Sequence, residues 1–180
     1  MGGRPYTESM PSWTCVPLGS RLVLFVEADG SVLRRAWFAK RAEDLPPGWQ
    51  PGDRDDDLPV LAEARRQLEE YVAGRRRHFT VPFRLDGTPF QREVWAQLTQ
   101  IPCGSTCSYA DIARAIGRPK AVRAVGAANG SNPLPVFVPC HRVIGSSGAL
   151  TGFSAGLEVK RALLALEGVP VQQGLPLGEG

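Results

Sequence analysis

The chain has 180 residues, 43% of them hydrophobic and 22% charged, and a formal net charge of +3, which allows one sizeable core or two small domains sharing an interface. No apolar run approaches the roughly 18 residues of a membrane span, and residues 1–10 lack the basic and apolar regions of a signal peptide. We therefore expect a globular cytoplasmic protein with no membrane partner, whose four cysteines are reduced thiols.

The N-terminal part predicts a small sheet followed by a helix. Residues 22–28 and Val32–Ala39 are rich in β-formers, and an Asp-Gly turn between them predicts a hairpin. After a loop rich in proline and aspartate, Asp57 is expected to cap a helix with Pro59 in its first turn. The pattern ends at Gly74.

A sharper helix start follows at residues 88–91, where Thr-Pro-Phe-Gln matches a capping box with proline at the first helical position. This signal predicts that a second domain opens near Asp86. Phe90, Trp95 and Leu98 follow at helical spacing, which favours a role in the core over a base-stacking platform.

The next segment has the pattern of a helix-turn-helix. A short helix begins at Ser108, the sequence Gly-Arg-Pro at 117–119 forces a turn, and a second helix is predicted over 120–128. The second helix consists mostly of small residues, which either let the backbone approach another surface or simply pack on the core.

Charge favours the first of these alternatives, because residues 112–156 contain no acidic residue. Solvated basic loops are common, but a positive surface is also what a polyanion such as DNA requires. The cations of this stretch are Arg114, Arg118, Lys120, Arg123 and Arg142.

A Cys-His pair follows a predicted buried strand over 136–138 that Pro139 ends. Cys140 and His141 would then be presented in a cleft, where an imidazole can help to form the reactive thiolate. Consecutive side chains of extended backbone point to opposite faces, so His141 needs a kink or a bridging water to reach the sulfur. A buried structural cysteine and a core histidine are the alternatives.

Glu167 adds a third candidate to this pair. A helix that starts at Leu157 ends with this carboxylate, where the helix dipole disfavours negative charge. Such a placement suggests that the carboxylate orients the imidazole that activates the thiol, which is the arrangement of nucleophilic catalysis.

The pentapeptide Pro-Cys-His-Arg-Val at 139–143, together with Ser108-Tyr109, Asn132-Pro133 and Phe153-Ser154, resembles the O6-alkylguanine-DNA alkyltransferases. The resemblance extends over residues 90–168 and implies an α+β fold. Its parts would be a small N-terminal ribonuclease H-like α/β domain (1–85), a mostly helical domain with the helix-turn-helix and an active-site strand and loop (86–170), and a flexible tail (171–180).

The resemblance also implies the catalytic roles. Cys140 would accept the alkyl group in a single irreversible turnover, His141 would deprotonate it through a water, and Glu167 would hold the imidazole. Asn132 would be the hinge between the recognition unit and the active-site strand.

For DNA, the resemblance implies a minor-groove contact and a base flipped out of the duplex. Arg123 would fill the space of the extruded guanine, and Tyr109 would help to rotate the nucleotide. The DNA-binding set is then Tyr109, Lys120, Arg123, Ala124 and Ala128, and the set around the flipped base is Tyr109, Val143, Phe153, Ser154 and Ala155.

The expected partner is double-stranded DNA with alkylated guanine, and O4-alkylthymine is a second candidate substrate. We expect a monomer, with cooperative binding on DNA as an open alternative, and no cofactor. Some relatives hold a structural zinc ion, but Cys15 and His78 are too few ligands before residue 86 for a closed site, so no metal is expected.

Three competing functions stay open at this point. One is an alkyltransferase-like protein that binds the lesion without reacting, although such relatives lack the acceptor cysteine. A cysteine hydrolase would turn over repeatedly, and a helix-turn-helix regulator would dimerise on spaced half-sites.

Overall fold

The computed structural model describes residues 11–170, and its first part is a three-stranded antiparallel sheet in the order β1-β2-β3. The strands are β1 (Ser12–Pro17), β2 (Val23–Asp29) and β3 (Val32–Ala39). The predicted hairpin is confirmed by the pairing of β2 with β3, in which Phe25 lies opposite Trp37. Strand β1, which pairs with the other edge of β2, was not predicted.

Helix α1 (Pro59–Val72) packs on this sheet and buries one stripe of its surface. The prediction that Asp57 caps it was wrong, because Leu58 is the N-cap and no side chain caps the helix. Asp55 instead accepts hydrogen bonds from the backbone N–H groups of Asp57 and Leu58, which is the local bonding typical of an aspartate turn.

The second part is mostly helical, with α2 (Pro89–Leu98), β4 (Cys107–Ser108), α3 (Tyr109–Ala115), α4 (Val122–Gly130), β5 (Val143–Ile144) and α5 (Leu157–Leu166). The predicted capping box at Thr88 is confirmed, and Ser108 forms another with Asp111. Helices α3 and α4 pack together around a turn in which Gly117 has a φ of 70°, as the helix-turn-helix pattern predicts.

The predicted strand over 136–138 is wrong. These residues form a turn closed by a bridge between Pro135 and Val138, and Val136 has a φ of 77°. Their side chains are buried, as a buried strand would also require, so the apolar pattern alone could not separate the two conformations. The strand next to Cys140 and His141 is β5, which pairs in parallel with β4.

One hydrophobic core runs through both parts, from Val16 on β1 to Leu163 on α5. Backbone bonds also join them, since Ala36 of β3 donates to the carbonyl of Pro133 at 2.8 Å. The described residues thus form a mixed α/β structure with five α-helices and small sheets. None of the helices in residues 11–170 is long and apolar enough to cross a bilayer.

Candidate functional site

Cys140 begins a single 3-10 turn (Cys140–Arg142) directly before β5. The turn supplies the kink that the sequence required, so that consecutive residues need not point to opposite faces. Cys140 is 3% exposed, and His141 is fully buried. Both side chains of the Cys-His pair therefore lie inside the protein, beneath the surface of the C-terminal half.

His141 lies in hydrogen-bond contact with Glu167. The distance between Nε2 of the imidazole and Oε1 of the carboxylate is 2.8 Å. The pKa of Glu167 is raised by burial, but hydrogen bonds from His141 and Arg142 outweigh that effect and hold it well below its ordinary value. An ionised carboxylate can only accept, so Nε2 carries the proton and Nδ1 has the free lone pair.

Nδ1 of His141 is buried and has no protein hydrogen-bond partner within residues 11–170. Burial lowers the pKa of His141, although the hydrogen bond and charge of Glu167 act in the opposite direction. The imidazole is therefore a neutral base with one nitrogen occupied and the other available.

The carboxylate of Glu167 is held by a fork of donors. Arg142 donates from Nε to Oε2 at 2.9 Å and from Nη2 to Oε1 at 2.8 Å. The Tyr71 hydroxyl donates to Oε1 at 2.7 Å, and the Gly104 N–H donates to Oε2 at 3.3 Å. These bonds explain how a carboxylate is tolerated at the C-terminus of α5, where the dipole disfavours it.

The thiol of Cys140 is held in its protonated form by burial, which raises its pKa to about 11. Three features favour the thiolate instead: the side chain of Asn132, the charge of Lys160, and the backbone N–H groups of Cys140 and His141. Burial lowers the pKa of Lys160 to about 8. The site can thus stabilise a thiolate once a base removes the proton.

Asn132 joins helix α4 to the turn before the reactive pair. Its Nδ2 donates to the carbonyl of Val138 at 2.8 Å, and its Oδ1 accepts from the N–H of Leu134 at 3.0 Å. A neighbouring amide, Asn129, is buried, and its Nδ2 reaches the Cys140 carbonyl at 3.4 Å. Both asparagines therefore connect the C-terminal end of α4 to the residues around Cys140.

The exposed face of α4 and the turn just before it carry part of the predicted DNA-binding set. Lys120, Arg123 and Ala124 are exposed, and neither cation has an acidic partner within the described chain. Ala128 is 3% exposed, and its carbonyl accepts from Trp95 Nε1, so its place in the DNA-binding set was wrong. It faces the core because it follows Val125 on the buried side of the helix.

The basic stretch is also less uniform than its sequence indicated. Arg142 is 6% exposed and bonds Glu167 and the carbonyl of Ile101, so it contributes nothing to a positive surface. Arg118 pairs with Glu93 at 3.1 Å, and Arg114 pairs with Asp111.

Tyr109, the first residue of α3, contacts the loop that follows β5. Its hydroxyl lies 3.1 Å from the carbonyl oxygen of Thr151 and 3.2 Å from that of Gly152. Any Cβ at Gly152 would lie 3.1 Å from this hydroxyl, so the close approach favours glycine there. Burial raises the pKa of Tyr109, which keeps the phenol a hydrogen-bond donor.

The remaining residues of the predicted base pocket fall into two groups. Ser154 and Ala155 line a cavity of about 470 Å³ whose other walls come mostly from the N-terminal half, such as Trp37 and Trp49, and among the described residues neither Cys140 nor Tyr109 lines it. Phe153 packs on Phe38 with ring centroids 6.0 Å apart. Val143 is different, because its side chain is buried, its N–H donates to Cys140, and its carbonyl accepts from Lys160. In this arrangement Val143 does not face the cavity.

No group of three or more potential metal ligands occurs within residues 11–170. Cys15 lies on β1 and is buried in a cluster with Trp13 and Phe25, whereas His78 is exposed. All four cysteines are free thiols.

The sequence analysis missed two residues of this site, Lys160 and Tyr71, and misplaced Arg142. Lys160 lies on the buried stripe of α5 with Leu163 and Leu164, and a lysine within an apolar stripe is a signal that could have been read. Tyr71 also lies on a buried stripe, but its spacing indicates only that it is buried, not which group its hydroxyl meets.

A family model described as "6-O-methylguanine DNA methyltransferase, DNA binding domain" matches residues 89–169. The chain is 54% identical over 118 residues to the constitutive methylated-DNA–protein-cysteine methyltransferase of Bacillus subtilis, covering 65% of this chain and 72% of the relative. It is 56% identical over 145 residues to the methylated-DNA–protein-cysteine methyltransferase of Mycobacterium bovis, covering 80% of this chain and 85% of the relative.

Two solved structures are similar over most of the chain. One is the O6-methylguanine methyltransferase of Mycobacterium tuberculosis, with a TM-score of 0.72 and 42% identity over 88% of this chain and 93% of that one. The other is OGT of the same organism in complex with DNA, with a TM-score of 0.72 and 43% identity over 87% and 91%.

Proposed function

The chain belongs to the family of methylated-DNA–protein-cysteine methyltransferases, and from that membership we propose that Cys140 is its alkyl acceptor. The activity is direct-reversal DNA repair, in which an alkyl group passes from O6 of a guanine in DNA to a cysteine of the protein itself. The geometry of Cys140, His141 and Glu167 is the observation that supports this assignment.

The proposed step begins with the proton of the Cys140 thiol. Nδ1 of His141, which has the free lone pair, takes this proton through a water, while Glu167 stabilises the imidazolium. Because the thiol is buried and its pKa is about 11, the base is needed to form the thiolate.

The sulfur then attacks the alkyl carbon, and the bond from that carbon to guanine O6 breaks with its electrons on the base. The proton removed from the thiol returns to the guanine, so the products are an S-alkylcysteine and an unmodified guanine. A thioether is not cleaved by ordinary reductants, so each molecule reacts once.

We propose that the exposed face of α4 contacts duplex DNA through the minor groove. Extruding a nucleotide costs a few kcal/mol of unstacking. Arg123, exposed and without an acidic partner among the described residues, is suited to fill the space that the guanine leaves, and Lys120 is suited to a phosphate.

The flipped base is proposed to enter beside Tyr109, Phe153, Ser154 and Ala155. The phenol of Tyr109 would exchange its contact with the Thr151 and Gly152 carbonyls for a hydrogen bond to the guanine.

The finer organisation stays a proposal as well. It comprises a ribonuclease H-like domain over residues 1–85, a DNA-binding and acceptor domain over 86–170, and a monomer acting in the cytoplasm. The predicted tail at 171–180 and the first ten residues lie outside the described part of the chain.

Intact mass measured after incubation with a duplex containing one O6-methylguanine tests the proposed function. We expect a stoichiometric gain of one methyl group, mapped to Cys140 and absent in Cys140→Ser. Tight lesion binding without any gain in mass would instead identify a non-reacting lesion-binding protein, and methylation of another cysteine would overturn the assignment of Cys140.

A further inference from the structure

A tyrosine of the N-terminal half reaches the carboxylate that orients the catalytic imidazole. Tyr71 lies near the C-terminal end of α1, 96 residues before Glu167, and is 2% exposed. Its hydroxyl donates to Oε1 of Glu167 at 2.7 Å, and Oε1 is also the atom bonded to His141. Oε1 therefore takes part in three bonds, to Tyr71, to His141 and to Nη2 of Arg142.

Packing alone does not account for this hydroxyl. The ring of Tyr71 packs on Phe79 with centroids 5.4 Å apart, and Phe79 packs on Phe137 at 4.8 Å. A phenylalanine would make the same ring contacts, whereas a buried hydroxyl costs free energy unless it is hydrogen-bonded. The partner that compensates this cost is Glu167.

The direction of the bond is settled by the charges. Burial and the adjacent carboxylate raise the pKa of Tyr71 far above its ordinary value, so the phenol keeps its proton and must donate. The other groups that face the carboxylate are the Gly104 N–H, His141, Arg142 and the thiol of Cys103, whose pKa burial also raises. The charge of Lys160 acts in addition on His141 and lowers its pKa. Unlike these groups, Tyr71 belongs to the N-terminal half, on α1.

We propose that Tyr71 is a positioning residue for alkyl transfer, through which helix α1 holds Glu167 against His141. This inference rests on the proposed function. Arg142 grips the carboxylate from one side as a planar fork, and the phenol restrains Oε1 from the side of α1. Without the phenol, the carboxylate can rotate relative to the Arg142 guanidinium, and Oε1 has lost one donor that stabilises its negative charge.

A titration follows from this second effect. A carboxylate that has lost a donor is more basic and holds an imidazolium more tightly, so the His141–Glu167 pair keeps its proton to higher pH. A tyrosine that only filled space would not alter this midpoint when its hydroxyl is removed.

Tyr71→Phe is the first test, with single-turnover methyl transfer measured at saturating O6-methylguanine duplex. We expect the first-order transfer constant to fall about tenfold, since a buried hydrogen bond to a charged group is lost, while the Kd for DNA is unchanged. The midpoint of the pH–rate profile should move to higher pH. A transfer constant within twofold of the wild type, with the same midpoint, would overturn the proposal.

Phe79→Leu is the matched control, because it disturbs the packing of the Tyr71 ring and removes no polar group. It should lower thermal stability and leave the pH midpoint where it is. An equal shift in Phe79→Leu would show that packing, not the hydroxyl, is responsible.

Two further measurements keep the outcome decisive. Nitrogen NMR of the His141 ring reports the midpoint without any turnover, so a wild type that titrates but gains no methyl group would refute the proposed function separately from the Tyr71 contact. If Tyr71→Phe fails to fold, 3-fluorotyrosine incorporated at position 71 keeps the size and strengthens the donor. It should move the midpoint to lower pH, and an unmoved midpoint would refute the role of Tyr71.

Discussion

At the scale of single residues, the buried contacts of Glu167 affect both the free energy of unfolding and the protonation of His141. The carboxylate is buried with an arginine, and such pairs contribute little net stability compared with apolar packing, but breaking one leaves an unpaired charge. The arrangement is thus better understood as a device that fixes the tautomer of His141 than as a source of stability.

Glu167→Gln should destabilise the protein by about 3–5 kcal/mol at pH 7, because Arg142 is left buried without its counter-ion. In the wild type the lowered pKa of Glu167 stabilises the fold fully above its ordinary pKa of 4.5, and this contribution is lost as the pH falls below that value. The variant lacks this contribution, so its unfolding free energy should fall less steeply in acid.

Denaturant unfolding from pH 3 to pH 7 measures both effects. Glu158→Gln is the control, since that glutamate is on the same helix but its side chain is 88% exposed. If Glu167→Gln and Glu158→Gln lost similar stability, the buried pair would not be a critical interaction.

At the scale of elements, α4 separates a buried from an exposed face within nine residues. Val125, Ala128 and Asn129 face the interior, and Arg123 and Ala124 face outward. The small residues of α4 therefore pack on the interior on one side of the helix, and on the other side they lie on the exposed face that is proposed to contact DNA.

Two single-charge variants, one on α4 and one just before it, test the proposed contact of this helix with DNA. Arg123→Ala and Lys120→Ala should each lower the slope of log K for DNA against log salt by about 1, because each removes one cation. Arg123→Ala should in addition slow repair at saturating DNA about tenfold, because the extruded base is no longer replaced. Equal repair rates in the two variants would contradict the assignment of Arg123 as the intercalating residue.

At the scale of the whole molecule, the two halves share a core and the hydrogen bond from Tyr71 to Glu167. Leu33 on β3 is fully buried in the common core, and the backbone N–H of Ala36 on the same strand donates to the carbonyl of Pro133. The N-terminal half is therefore continuous in its packing with the half that carries Cys140, and the bond from Tyr71 to Glu167 adds a polar contact to the apolar ones.

We therefore expect one cooperative unfolding transition for the chain. Leu33→Ala should destabilise it by about 2–5 kcal/mol, and tryptophan fluorescence and far-UV circular dichroism should still report one midpoint. Separate midpoints for the two signals would show that the halves unfold independently.

Much of this protein could be predicted from its sequence, because the signals are local. The capping box at Thr88, the hairpin with its Asp-Gly turn and the glycine turn before α4 each depend on backbone preferences of a few adjacent residues. Cys140, His141 and Glu167 could be singled out because apolar packing does not require a Cys-His pair, and the helix dipole disfavours a carboxylate at a helix C-terminus.

Other features were decided only by the tertiary structure. The turn at 136–138 replaces a strand, because an apolar run has no periodicity that separates the two, and Ala128 faces inward because α4 packs against Trp95 of α2. The contacts of Glu167 with Arg142 and Tyr71 join residues far apart in the chain. Sequence spacing determines which face of a helix a side chain occupies, but only the packing of the helices determines which polar group it meets there.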